Sequence, residues 1–221
     1  MKTKYLIQKI FELRKSGCNI FIVALRFLYY YWFFDKKIFA HQKVIIKDVR
    51  NIMMSKKSVL IVGLCYRGFV TRYDRTLINV QGTLYVNGKV QIACGARIDV
   101  CKGGILELKN GVIINSFTKI ICANKIIIKE GTGIGWDCQI MDTDFHEISA
   151  GEIKLKKESP IIIGKNVLIA CKVCIYKGVK IADGVVISAN CVIIKSIETP
   201  GVLVSMEIPI KQSTVQFRWK P

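Results

Sequence analysis

Proline is scarce, four in 221 residues, and glycine is scattered along the chain, so no disordered linker divides it. Acidic residues are in deficit: 16 Asp+Glu face 34 Lys+Arg, a formal charge of +18. Such a field draws anionic small molecules, anionic membrane or nucleic acid, unless it is simply a solvated basic surface. Nucleic acid is excluded as a partner, because past residue 60 there is no RNA-binding signature and no basic run interleaved with aromatics. Histidine is nearly absent, with only His41 and His146. No clear cleavable signal precedes the nine cysteines, which therefore read as the reduced thiols of a cytoplasmic protein. Cys171 and Cys174 form a C-x-x-C without the second Cys or His pair that zinc needs, so no metal is expected.

What is present is a period. Ile163, Ile169, Ile175, Ile181, Ile187 and Ile193 recur every six residues, and four places after each comes Val167, Val173, Val179, Val185, Cys191 or Ile197. An α-helix drifts out of phase with a six-residue repeat, and a flat strand is excluded by the polar, glycine-bearing steps between anchors. A chain that turns a corner every six residues satisfies the pattern, three hexads making one triangular rung of a parallel β-helix. The phase is audible from Gly82: Leu108, Ile114 and Ile120 hold one frame, followed by Val112, Thr118 and Asn124. It slips by two at Ile126 to Ile128, then continues through Ile134 and Ile140 with Thr132 and Cys138 as partners.

Residues 1–45 read differently. Cys18 to Phe34 is apolar and aromatic but interrupted by Arg26, with Lys2, Lys4, Lys9, Arg14 and Lys15 before it and Lys36 and Lys37 behind. The run is marginal for a membrane span of about 20 apolar residues. A helix lying in the membrane interface fits better, giving peripheral contact through residues 1–40 at the inner membrane face. Capping of the solenoid is the equal alternative, and one helix can do both. The remaining chain divides into a β-helix over 46–200 and a tail over 201–221.

The repeat stops between Met141 and Pro160. Stacked sides cannot absorb extra residues, so residues 141–160 must leave the coil as a loop, and long loops in compact folds usually carry function. This one opens with Asp142, Asp144, His146 and Glu147. A neutral imidazole can take a proton from a hydroxyl near neutral pH, and a neighbouring carboxylate can fix its tautomer. Asp142 and Asp144 either orient His146 or bind acceptor hydroxyls, or are plain turn formers. Trp136, just upstream, either stacks on a sugar ring or packs at a subunit contact.

The run IGWDCQIMDTDFH over 134–146 resembles the core motif of the hexapeptide-repeat acyltransferases, of the maltose/galactoside acetyltransferase-like branch and its polysaccharide O-acetyltransferases. The segment from Ile163 to Lys195 is similar to that family's acetyl-CoA-binding coils, and the likeness spans roughly Gly82 to Pro200. It implies an all-β, left-handed parallel β-helix with an N-terminal helical extension, assembled as a homotrimer with active sites between neighbouring solenoids. Outward Val186 and Val192 would be covered by that assembly. It also implies acetyl-CoA as co-substrate, a saccharide acceptor, and His146 as general base for direct attack on the thioester without an acyl-enzyme. Ala170, Cys171, Ser188 and Ala189 match backbone positions along the coenzyme groove, and Lys195 a residue for its phosphate, or else an exposed corner lysine. The chain departs from the family at Leu168, where Trp is frequent, and at Ala170 and Ala182, where Gly is common.

A γ-type carbonic anhydrase needs three histidines on one metal, and His41 lies in the wrong region. A nucleotidyltransferase needs a preceding α/β domain with a phosphate loop, which residues 1–80 do not hold. A non-catalytic scaffold would keep the hexads without a histidine loop. N-acetylation of an amino sugar stays open beside O-acetylation.

Overall fold

The computed structural model describes residues 17–64, 70–71, 73–147, 149–150 and 153–205. Three parallel sheets of eight, seven and six strands wind around one axis, and successive strands in the chain step from face to face. This is a parallel β-helix. The isoleucines of the hexad frame point inward: Ile163, Ile169, Ile175, Ile187 and their partners Val167, Val173 and Val185 are fully buried. They stack in register, Ile134 on Ile169 on Ile187 along the first face and Ile140 on Ile175 on Ile193 along the second. Thr118 and Thr132 occupy partner positions without polar cost. Each hydroxyl donates to a carbonyl of the next rung, Gly135 O or Gly164 O at 2.7 Å, and accepts an amide from Cys138 or Val167.

Rung length explains both the clear and the obscure stretches of sequence. Ile169 to Ile187 is 18 residues, three hexads, whereas Ile114 to Ile134 is 20 and Ile92 to Ile114 is 22. The frame slip falls where the strand Lys125–Ile128 buries both Ile126 and Ile128 on a longer side. Corners close through left-handed residues. Gly95, Phe117, Asp137, Lys172 and Asn190 all have positive φ and stack at the corner between the first and second faces.

The solenoid starts earlier than the expected residue 46. Ile38–Ala40 and Val44–Lys47 already pair with the next rung, and their irregular spacing hides the period. The sheets run on to Leu203–Val204, so the tail expected over 201–221 still contributes a strand; residues 206–221 lie outside the described residues.

A helix, Ile20–Phe34, closes the other end. Asn19 caps it by accepting from Phe21 N and Ile22 N, and Asp35 ends it in the left-handed conformation. Phe27 stacks on Phe39 at 4.5 Å, and Tyr30 and Phe34 turn over the open end into the core. Arg26 donates to Val44 O at 2.8 Å, and Lys36 to Val49 O at 2.7 Å. Capping is thus one role of the helix. Among the described residues no helix is long and apolar enough to cross a membrane.

His41 is buried beside this cap, its Nδ1 accepting from Lys43 N at 3.2 Å. Burial first, then the charges of Lys43 and Arg26, push its pKa down against a raising backbone hydrogen bond to Gly17. The folded chain therefore resists a proton that the unfolded chain accepts near pH 6.5. Stability should be level above that pH and fall as pH drops from it toward the depressed folded value. Thermal melts between pH 7.5 and 5 check this, and His41→Gln should flatten the slope.

Candidate functional site

The rung from Ile134 to Ile169 is 35 residues long, against 18 for the next. The excess leaves after the strand Gln139–Met141 and returns at Ile161–Ile163, on the corner between the second and third faces. Its root is a closed ribbon: Thr143 bridges Glu158 antiparallel, Asp144 N donates to Lys157 O and Ser159 N to Asp142 O, each at 3.0 Å. Further out, Ser149–Ala150 pairs antiparallel with Ile153–Lys154.

Asp142 sits inside the corner and is fully buried. Its carboxylate accepts from Ala123 N at 2.7 Å and Asn124 N at 3.0 Å, with the Cys122 thiol at 3.6 Å. The expectation that Asp142 faces an acceptor is corrected by this geometry: its oxygens tie the loop root to the rung below, out of reach of any sugar. Asp144 is half-buried and ion-paired with Lys177, whose ammonium also donates to Lys156 O. Neither carboxylate is hydrogen-bonded to His146.

Phe145, with φ 61°, turns the chain outward, its amide donating to Thr143 Oγ1 at 3.1 Å. His146 follows and is exposed, with no hydrogen-bond partner among the described residues. A ring in that position is free to meet a ligand or a neighbouring chain.

A second set of residues gathers at the corner between the first and second faces. Ala170 stacks over Ser188 and Cys171 over Ala189, continuing the strand register of Ile169 and Ile187. Trp136, half-buried, separates two apolar-floored grooves there. One, of about 630 Å³, runs between Phe117, Trp136 and Cys171 and is rimmed by Arg97, Lys119 and Lys172. The other, of about 570 Å³, lies on the first face, where Gly131, Gly133 and Gly135 leave it open beside Leu168 and Ala170. Sequence reading missed Arg97, Phe117, Lys119, Lys172 and Lys177, because they meet Trp136 or Asp144 across rungs of unequal length. The surface pair Lys119–Asp137, at 3.2 Å, contributes little to stability.

The structure thus splits the expected residues. Trp136, Ala170, Cys171, Ser188 and Ala189 share one corner; His146 stands at the next, as does exposed Lys195, which follows Val192–Ile193. The two buried thiols of these rungs, Cys138 and Cys122, are poor nucleophiles. Burial pushes Cys138 up to about 11, and burial together with Asp142 pushes Cys122 far above its ordinary value.

Fold and hexad core define a hexapeptide-repeat β-helix protein. No family model matches the chain. A Klebsiella pneumoniae protein, described as an uncharacterized 24.8 kDa protein in cps region, is 37% identical over 156 residues, covering 71% of this chain and 69% of that one. The chain belongs to the family of that cps-region protein. Among solved structures, a variant of AntD, an N-acyltransferase from Bacillus cereus in complex with dTDP and coenzyme A, superposes with a TM-score of 0.51 at 15% identity, over 82% of this chain and 83% of that one. The likeness is one of fold. The polySia-specific acetyltransferase NeuO gives a TM-score of 0.40 at 17% identity, over 81% and 84%, which is too low to argue from.

Proposed function

We propose that this protein transfers the acetyl group of acetyl-CoA to a saccharide hydroxyl in the assembly of a surface polysaccharide. One observation carries the reading: where the coil extrudes residues 142–160, an accessible imidazole stands at the loop root with no hydrogen-bond partner among the described residues. A parallel β-helix that needed only to be a scaffold has no use for such a group. The relative's place in a cps region, a capsule region, supports a polysaccharide acceptor. AntD uses this fold with coenzyme A bound.

In this reading His146 takes the proton as the acceptor oxygen attacks the thioester carbonyl. The tetrahedral oxyanion collapses, expelling the CoA thiolate, which recovers the proton from the imidazolium. Backbone amides of the corner stabilise the oxyanion. Acetyl-CoA lies against Ala170–Cys171 and Ser188–Ala189, with Lys195 toward its phosphate. Trp136 faces the sugar, while Asp144 holds the loop through Lys177.

Within one chain the two corners are ends of the second face, roughly 16 Å apart for five extended residues. A neighbouring solenoid must bring its groove to this chain's loop, and a homotrimer does so three times. Exposed Val192 (58%) and Ile194 (67%) offer the apolar flank such packing covers.

Acetyl-CoA consumption with a panel of saccharides tests the activity. An ester product is lost in mild base and an amide is not, which separates O- from N-acetylation. The shared site has its own test. A Cβ at Gly133 would meet only Leu168 Cδ1, at 3.8 Å, so Gly133→Val folds while filling the groove. It should raise KM for acetyl-CoA about tenfold or more. Trimers mixed in equal amounts from Gly133→Val and His146→Ala chains, assayed at acetyl-CoA well below KM, should recover about a quarter of wild-type activity, because a cyclic assembly pairs one intact loop with one intact groove at that frequency. Additive residual activities would mean each chain works alone.

A further inference from the structure

We propose that the outward face of the helix Ile20–Phe34 is a lipid-binding surface, lying flat in the interface of an anionic membrane. The inference is independent of acyl transfer and stands on how this helix is docked. Phe21, Leu25, Leu28, Tyr29 and Trp32 follow one another at steps of four, three, one and three residues, which at 100° per residue form one stripe. Phe21 is 82% exposed, Trp32 76% and Leu25 67%.

The helix cannot roll to hide that stripe. Its opposite side is pinned: Val23 and Tyr30 are buried, Phe27 is stacked on Phe39, and Arg26 is bonded to Val44 O. Each large apolar side chain left in water forgoes the gain of burial, and contiguous patches of this kind mark interaction surfaces.

Charge and composition favour a lipid occupant over a protein one. Residues 17–64 carry eight Lys+Arg and two Asp, and Lys47, Arg50, Lys56 and Lys57 are exposed at this end of the solenoid. The segment before the helix adds Lys2, Lys4, Lys9, Arg14 and Lys15 against a single Glu12. Tyr and Trp beside basic residues match the headgroup boundary, where a ring buries its body and keeps its polar edge wet. Fifteen residues rise about 22 Å, short of the roughly 30 Å hydrocarbon core, so the helix lies on the bilayer and does not cross it. Placed there, the solenoid would stand on its N-terminal end with the acyl-transfer loop held above the membrane.

The test is co-sedimentation of the full chain with vesicles of phosphatidylcholine alone and with about 30% phosphatidylglycerol. The wild type should favour the anionic vesicles about tenfold or more, and high salt should weaken binding. Phe21→Ser/Leu25→Ser/Trp32→Ser should lose that binding with melting temperature and solution mass unchanged. Trp32→Ser alone, should the triple variant misfold, should weaken binding several-fold and abolish the blue shift of tryptophan emission on vesicles. A wild type left in the supernatant, or equal binding by wild type and variants, overturns the proposal. So does a fall in solution mass of the variants, which would assign the stripe to a second copy of the chain.

Discussion

Replacing His146 with alanine is expected to lower kcat by about 10²–10⁴, the range over which a positioned general base acts, while melting temperature stays unchanged. The reason for the separation is structural. His146 is exposed and makes no hydrogen bond among the described residues, so its removal leaves no orphaned partner. KM for acetyl-CoA should hold, because in this reading the coenzyme rests on Ala170–Cys171, Ser188–Ala189 and Lys195 and not on the imidazole. Steady-state release of CoA with a competent acceptor, alongside a thermal melt, reads both. Equal background release by wild type and His146→Ala would point instead to a non-catalytic scaffold.

Asp142→Ala should do the opposite and act through the fold. The carboxylate is fully buried and accepts from the amides of Ala123 and Asn124. Losing it strands two part-buried donors at the loop root, a cost of about 2–4 kcal/mol, or on the order of 10 °C in melting temperature for a domain of this size. Activity should fall with it, as the root of the loop carrying His146 loosens. Asp142→Asn keeps shape and one acceptor oxygen, so its loss should be intermediate. Had Asp142 bound the acceptor, its removal would raise KM for the sugar and leave stability intact. Melting curves and KM for both variants distinguish the two.

These residues show where sequence reading succeeds. The coil was legible because a side and a corner together take six residues, which places an inward anchor at each of Ile163 to Ile193. The extrusion was legible for the same reason, as a gap in that beat. Asp142 was misread because its partners, Ala123 and Asn124, belong to the rung below, and the slip at Ile126–Ile128 conceals which residues stack. The groove around Trp136 was missed likewise: Phe117 lies 19 residues before it and Cys171 35 after. Only the choice of which rung stacks on which brings them together.

By itself the sequence determined a parallel β-helix, a basic aromatic N-terminal helix and a histidine-bearing excursion, since each rests on local periodicity or composition. Tertiary structure alone decided that Asp142 belongs to the coil, that His146 and the Ala170–Cys171 corner are separate in one chain, and that the helix caps with one face and exposes the other. Stacking register depends on rung lengths of 17 to 35 residues, beyond the reach of any pattern within one hexad.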